Sequence, residues 1–131
     1  LMMHPTACTV LVVEDDPSVR QTLVDILEIN GYVARTADNG EAGLQAAREE
    51  TPTLIITDIE MPRMTGFELL QQLRRDESLR SIPVVVISAK ADRAAMRRGM
   101  ELGADDFITK PFTEDEVIHS VQTRLEKKEL L

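Results

Sequence analysis

Five short runs rich in branched apolar residues alternate along this chain with five stretches of helical periodicity, and few folds accept that pattern. The first strand is predicted over 10–13, and it closes in Glu14-Asp15-Asp16. Pro17 suits a first helical position with Asp16 as its N-cap. Val19, Leu23, Ile26 and Leu27 then form one apolar stripe, which Gly31 ends. A weaker strand is predicted over 32–36, followed by an Asp38-Asn39-Gly40 turn and a short helix carrying Ala42, Leu44, Ala46 and Ala47. Residues 53–57 read as a buried strand with Asp58 directly after it, and Phe67, Leu70 and Leu73 mark the third helix. The most apolar segment, 83–87, is expected to be a central strand ending at Ser88. A fourth helix over 93–102 stops at Gly103, a last strand covers 106–109, and Lys110-Pro111 leads to a fifth helix starting near Glu114.

Strands that alternate with helices imply an α/β fold with a parallel sheet covered on both faces. Right-handed crossovers leave a doubly wound sandwich, for which five strands in the order 2-1-3-4-5 are a common solution. With 131 residues the chain fits a single domain, its core spanning about 9–125. Residues 126–131 keep helical propensity and are either the start of a connector to an output domain or the end of the last helix. The net charge of −8 disfavours direct nucleic-acid binding, which needs clustered Lys and Arg. No apolar run approaches the roughly 18 residues of a membrane span, and nothing reads as a signal peptide. A single cysteine, Cys8, excludes an internal disulfide and suits a reducing cytoplasm.

In such a sheet ligands bind beyond the carboxyl ends of the strands, at the switch in strand order. Asp15 and Asp16 follow the first strand, Asp58 the third, Ser88 the fourth and Lys110 the fifth, so four segments deliver polar groups to one edge. Several carboxylates in one cleft repel unless something compensates. A divalent cation and the Lys110 ammonium are the two compensators available, and Mg2+ suits because it keeps waters beside a few carboxylates. Together they would hold Asp58 ionised as a nucleophile and offset the charge of a transferring phosphoryl group, with the Ser88 hydroxyl as a donor. Taken singly, each residue has a duller role: Asp15-Asp16 as a helix cap, Asp58 as a turn former, Ser88 as a strand end, Phe107 as core.

Glu14-Asp15-Asp16-Pro17, Thr57-Asp58-Ile59-Glu60-Met61-Pro62, Ile87-Ser88-Ala89 and Phe107-Ile108-Thr109-Lys110-Pro111-Phe112 together resemble the receiver domain of two-component response regulators. That resemblance implies phosphoryl transfer onto Asp58 from a histidine kinase, a phosphotransfer protein or a small phosphodonor. It implies Mg2+ held by Asp16 and Asp58 side chains and the Glu60 backbone carbonyl, with Asp15 acting through water. It makes Ser88 and Phe107 the switch pair and the Lys110-Pro111 peptide cis. By the same resemblance the protein is a signalling switch rather than an enzyme, catalysing only its own phosphorylation and slow dephosphorylation. Its face of fourth helix, fifth strand and fifth helix would then control a partner, an output domain or a phosphorylation-dependent homodimer.

Some positions vary within such a family. Glu60 and Lys90 are expected to face each other over the site and screen the attacking water, while small Ala89 leaves a phosphodonor room to approach. Ser120 stands where many DNA-binding relatives carry an arginine that pairs across a dimer. Two rival classes remain open: a phosphatase resembling the haloacid dehalogenases, from Asp58-Ile59-Glu60, and an interaction module that is never phosphorylated.

Overall fold

The computed structural model describes residues 8–89 and 92–130. Strands β1 (Thr9–Val13), β2 (Val33–Ala37), β3 (Leu54–Thr57), β4 (Val84–Ser88) and β5 (Asp106–Thr109) alternate with helices α1 (Pro17–Ile29), α2 (Gly40–Glu49), α3 (Gly66–Arg75), α4 (Arg93–Glu101) and α5 (Glu114–Leu130). The five strands form one parallel sheet in the order β2-β1-β3-β4-β5. This is the doubly wound architecture expected from the alternation, with the reversal in strand order between β1 and β3.

Strand alternation sorts the core into two layers. Leu11, Val13, Ile55, Val84 and Val86 face α2 and α3, meeting Leu44, Ala47, Leu69, Leu70 and Leu73. Val10, Val12, Leu54, Ile56, Val85 and Ile87 face α1 and α5, meeting Leu23, Leu27, Val117 and Val121. Helix starts are set locally. Asp16, Asn39 and Asp92 each cap a first turn through the side chain, and Thr65 with Glu68 closes a reciprocal capping box. Thr113 and Glu116 form the same box at the start of α5, with bonds of 2.8 and 3.1 Å.

The second strand begins one residue later than the sequence pattern suggests. Gly31 takes φ +90°, and the Tyr32 N–H turns back to the Leu27 carbonyl at 3.0 Å. Tyr32 therefore belongs to the end of α1, where satisfying a helix carbonyl outweighs its strand propensity.

Arg74, at the end of α3, ties down the amino ends of β4 and β5. Its guanidinium donates to the carbonyls of Gly103 (2.6 Å), Ile82 (2.8 Å) and Arg80 (3.1 Å) and to Asp105 Oδ2 (3.1 Å). The same Asp105 oxygen accepts the Val84 N–H at 2.8 Å. An Arg74→Ala protein is expected to lose about 2–3 kcal/mol, because several half-buried acceptors lose a charged donor at once. Arg74→Lys should restore less than half, since a point charge cannot fork to four acceptors. Urea denaturation of the two variants beside the parent checks both, and equal midpoints would remove the clamp from the account.

Candidate functional site

The carboxyl ends of β1, β3, β4 and β5 bring their polar residues to one cleft. Asp58 follows β3, is 8% exposed, and its N–H continues the ladder to the Val13 carbonyl at 3.0 Å. Its Oδ1 accepts the Ile59 N–H at 2.7 Å, which orients the carboxylate, and its Oδ2 accepts Lys110 Nζ at 2.9 Å. Gly66 allows the loop to close over it. A methyl group there would collide with the Asp58 carbonyl, while the Gly66 N–H donates to the Ile59 carbonyl at 2.7 Å. The Lys110-Pro111 peptide is cis, and the Lys110 N–H bonds the Ser88 carbonyl at 2.9 Å.

The acidic partners differ by one residue from the sequence expectation. The carboxylates that meet are those of Glu14, Asp15 and Asp58, each with an oxygen within 4.8 Å of the others. Asp16 is exposed, and its side chain is turned to the N-terminus of α1, accepting from the N–H groups of Ser18 (2.9 Å) and Val19 (3.3 Å). A cap of this kind points along its own helix, so it does not also face the cleft. Glu14 takes the place expected of it. Its N–H still pairs with the Ala37 carbonyl, extending β1, and its side chain lies buried on the Val12 side of the sheet with Oε1 3.0 Å from Lys110 Nζ. The Asp16 N–H holds Glu14 Oε2 at 3.1 Å, and Arg20 holds the Glu14 carbonyl at 2.8 Å.

Lys110 therefore spans two acids, as a hydrogen bond to Asp58 and as a charge contact to Glu14. Glu14 Oε1 is buried without any hydrogen bond of proper geometry. Burial pushes the Glu14 carboxyl up to about 7, and the nearby Asp58 charge adds to the rise, against the lowering by Lys110 and the Asp16 N–H. Burial works against the charge on Lys110, but the bond to Asp58 and the contact with Glu14 outweigh that and raise its pKa. The donor set fits a hard divalent ion: all oxygen, one under-bonded buried carboxylate, and an exposed Asp15 that leaves a solvent side for waters.

Ser88 ends β4 fully buried, opposite Thr109 in register. Phe107 is half-buried against the α2–α3 layer, beside Gly99 of α4. Ala89 and Glu60 are exposed at the rim. Lys90 lies outside the described residues, and with it the expected pairing with Glu60. Ser120 is buried and donates to Asp106 Oδ2 at 2.6 Å within the same chain.

A family model for the response regulator receiver domain matches residues 10–122. The hybrid signal transduction histidine kinase D of Dictyostelium discoideum is 39% identical over 86% of this chain and 7% of its own length. The DNA-binding response regulator MtrA of Mycolicibacterium smegmatis is 36% identical over 92% of this chain and 51% of its own. The chain thus spans about half or less of these curated relatives. Among solved structures, a putative response regulator from Chloroflexus aurantiacus superposes with a TM-score of 0.89 at 31% identity, covering 92% of this chain and 99% of that one.

Proposed function

The chain belongs to the response regulator receiver domain family, and from that premise we propose that it is a signalling switch phosphorylated on Asp58. The observation that carries this reading is Lys110, whose ammonium joins Asp58 to buried Glu14 beside Asp15. An oxygen of Asp58 attacks the phosphorus of a phosphohistidine or acyl phosphate; the new O–P bond forms as the donor's P–N or P–O bond breaks. Lys110 balances the charge that reaches the phosphoryl oxygens, and Ile59 N–H keeps the nucleophile aimed. Mg2+ would be held by Glu14, Asp15 and Asp58, with the Glu60 carbonyl as a further oxygen, and would supply positive charge to the equatorial oxygens. Afterwards Ser88 and Lys110 draw toward the new anion, and Phe107 and α4 follow.

Histidine kinases or phosphotransfer proteins are the donors in this reading, and an output domain, a separate partner or a second copy is the receiver of the signal. Ser120, already bonded to Asp106, gives no support to an arginine-paired dimer. The deciding experiment is intact mass after incubation with acetyl phosphate. A gain of about 80 Da that requires Mg2+ is expected. No gain from acetyl phosphate or from a phosphohistidine donor would leave a receiver fold that binds partners unphosphorylated, and steady turnover of a phosphate monoester would mark a phosphatase.

Glu14 links metal to protons. Without metal its raised pKa means the folded protein keeps a proton that the unfolded chain releases near 4.5, so this group's stabilisation is lost as pH climbs from 4.5 through 7. Mg2+ needs the ionised form. Its affinity should therefore climb up to about tenfold per pH unit below 7 and level off above, with nearly one proton released per ion at pH 6. Calorimetry in two buffers of different ionisation enthalpy reads that proton; none released would mean Glu14 is no ligand. A smaller effect is expected at the rim: Glu60→Ala should shorten the lifetime of the phosphoryl group, followed as decay of the added mass, and an unchanged or longer lifetime would remove Glu60 from water screening.

A further inference from the structure

Thr57 ends β3 and is wholly buried, in register with Val13 of β1 and Val86 of β4. Alternation puts its side chain on the Ile55 face of the sheet, among the apolar residues that meet α2 and α3. Asp58 turns the other way, toward Lys110 and Glu14. A hydroxyl in an apolar layer is costly unless it is bonded, and valine would offer the same branching without that cost. Thr57 Oγ1 donates to the Asp58 carbonyl at 2.9 Å. That carbonyl belongs to the peptide unit joining Asp58 to Ile59, and the N–H at the other end of the same unit donates to Asp58 Oδ1 at 2.7 Å. A peptide unit is a rigid plane, so whatever fixes its oxygen also fixes the direction of its N–H. Gly66 closes the other side, its Cα resting against the same Asp58 oxygen so closely that a Cβ would collide with it.

The Asp58 carboxylate thus has a donor on each oxygen. Lys110 holds Oδ2 from the end of a long side chain, and Ile59 N–H holds Oδ1 from a plane steadied by Thr57 and Gly66. We propose that Thr57 is a positioning residue for the nucleophile. From the face of the sheet opposite the cleft, its hydroxyl locks the peptide between Asp58 and Ile59, and that peptide keeps the carboxylate at the angle of attack. Without the hydroxyl the plane can rock, Ile59 N–H swings off Oδ1, and the carboxylate turns about its own axis on Lys110. Attack on phosphorus needs the oxygen in line with the leaving group, so a small misplacement costs much rate. This deepens the switch reading and rests on it for the reaction being helped, whereas the hold on the carboxylate stands apart from it. A buried hydroxyl that merely satisfied itself on the nearest carbonyl would leave the carboxylate indifferent to its removal.

The test compares the whole chain with Thr57→Val, which keeps the branching and loses the hydroxyl, and Thr57→Ser, which keeps the hydroxyl and loses the methyl. One readout is the initial rate of mass gain from acetyl phosphate with Mg2+. The other is the Ile59 amide proton in the NMR spectrum of isotope-labelled protein, taken without Mg2+ or phosphodonor. Thr57→Val is expected to slow labelling about tenfold, and Thr57→Ser to stay within about twofold of the parent. The Ile59 amide, drawn downfield by its short bond to a carboxylate, should move upfield in Thr57→Val and hold its place in Thr57→Ser. If Thr57→Val disturbs folding, Thr57→Ala beside Thr57→Ser asks the same question, since that pair differs by the hydroxyl alone. A valine variant as fast as the parent overturns the proposal, as does a serine variant as slow as the valine one, which would assign the effect to methyl packing. An Ile59 amide that ignores the loss of the hydroxyl overturns it whatever the rates do. A parent that gains no mass from any phosphodonor sinks the switch alone, and the amide then decides for or against Thr57 by itself.

Discussion

The Asp58→Asn protein is expected to gain no mass from acetyl phosphate and Mg2+ while unfolding within about 1 kcal/mol of the parent. The loss should be complete, because an amide has no anionic oxygen to attack phosphorus and no neighbouring carboxylate can replace it. Asp15 is exposed at the mouth of the cleft, and Glu14 is buried beneath Lys110 with a raised pKa. Stability should hold because two effects oppose. The substitution removes the ion pair to Lys110, but it also removes one of three crowded carboxylates. The amide oxygen can still accept from the Ile59 N–H, the 2.7 Å bond that orients the native side chain. Mass spectrometry with a chemical-denaturation curve checks both halves. Residual labelling would move the nucleophile elsewhere, and gross destabilisation would make the lost labelling uninformative until folding was restored.

Lys110→Ala should be costly in both respects. In Mg2+-free buffer at pH 8 a loss of about 2–3 kcal/mol is expected, below the range for orphaning a fully buried charge because the ammonium is partly exposed at 19%. Glu14 and Asp58 would remain buried, at 1% and 8%, with no counter-charge between them. At pH 6 the loss should shrink, since a protonated Glu14 no longer repels Asp58, and Mg2+ should narrow it at pH 8. Labelling should slow by about 10²–10³, the usual effect of removing a preorganised donor aimed at developing charge. Initial rates of mass gain and urea midpoints at the two pH values test this. A loss of stability that ignored both pH and Mg2+ would mean Lys110 supports the fold through packing alone.

Much of this was readable from the sequence, and for physical reasons. Branched apolar runs separated by amphipathic helices admit few arrangements, and the rule that ligands sit beyond the carboxyl ends of parallel strands put Asp58, Ser88 and Lys110 on one edge. The structure groups Glu14 and Asp15 with Asp58, and the sequence holds a signal for that choice. Glu14-Asp15-Asp16 offers three acids in a row, but Pro17 fixes where the helix begins, and Asp16 as its cap is spent on Ser18 and Val19. The pair left for the cleft is Glu14 and Asp15. Arg74 carried no such signal. An arginine late in an amphipathic helix reads as a solvated charge, and only the chain fold brings four acceptors from distant segments around it.

The Arg74 clamp has a mechanical consequence. Strands β4 and β5 are pinned at their amino ends, where Asp105 grips both Arg74 and Val84 and Asp106 grips Ser120. Their opposite ends, at Ser88 and Thr109, are where a new phosphoryl group would pull. A rod fixed at one end and tugged at the other pivots instead of sliding, so displacement fades toward the clamp. On the proposed switch reading, displacement released at the free end would pass sideways through Phe107, which lies beside Gly99 of α4. In that same reading, the Arg74 clamp lies at the end of these strands away from the site, so it can be weakened without altering the groups that would receive the phosphoryl.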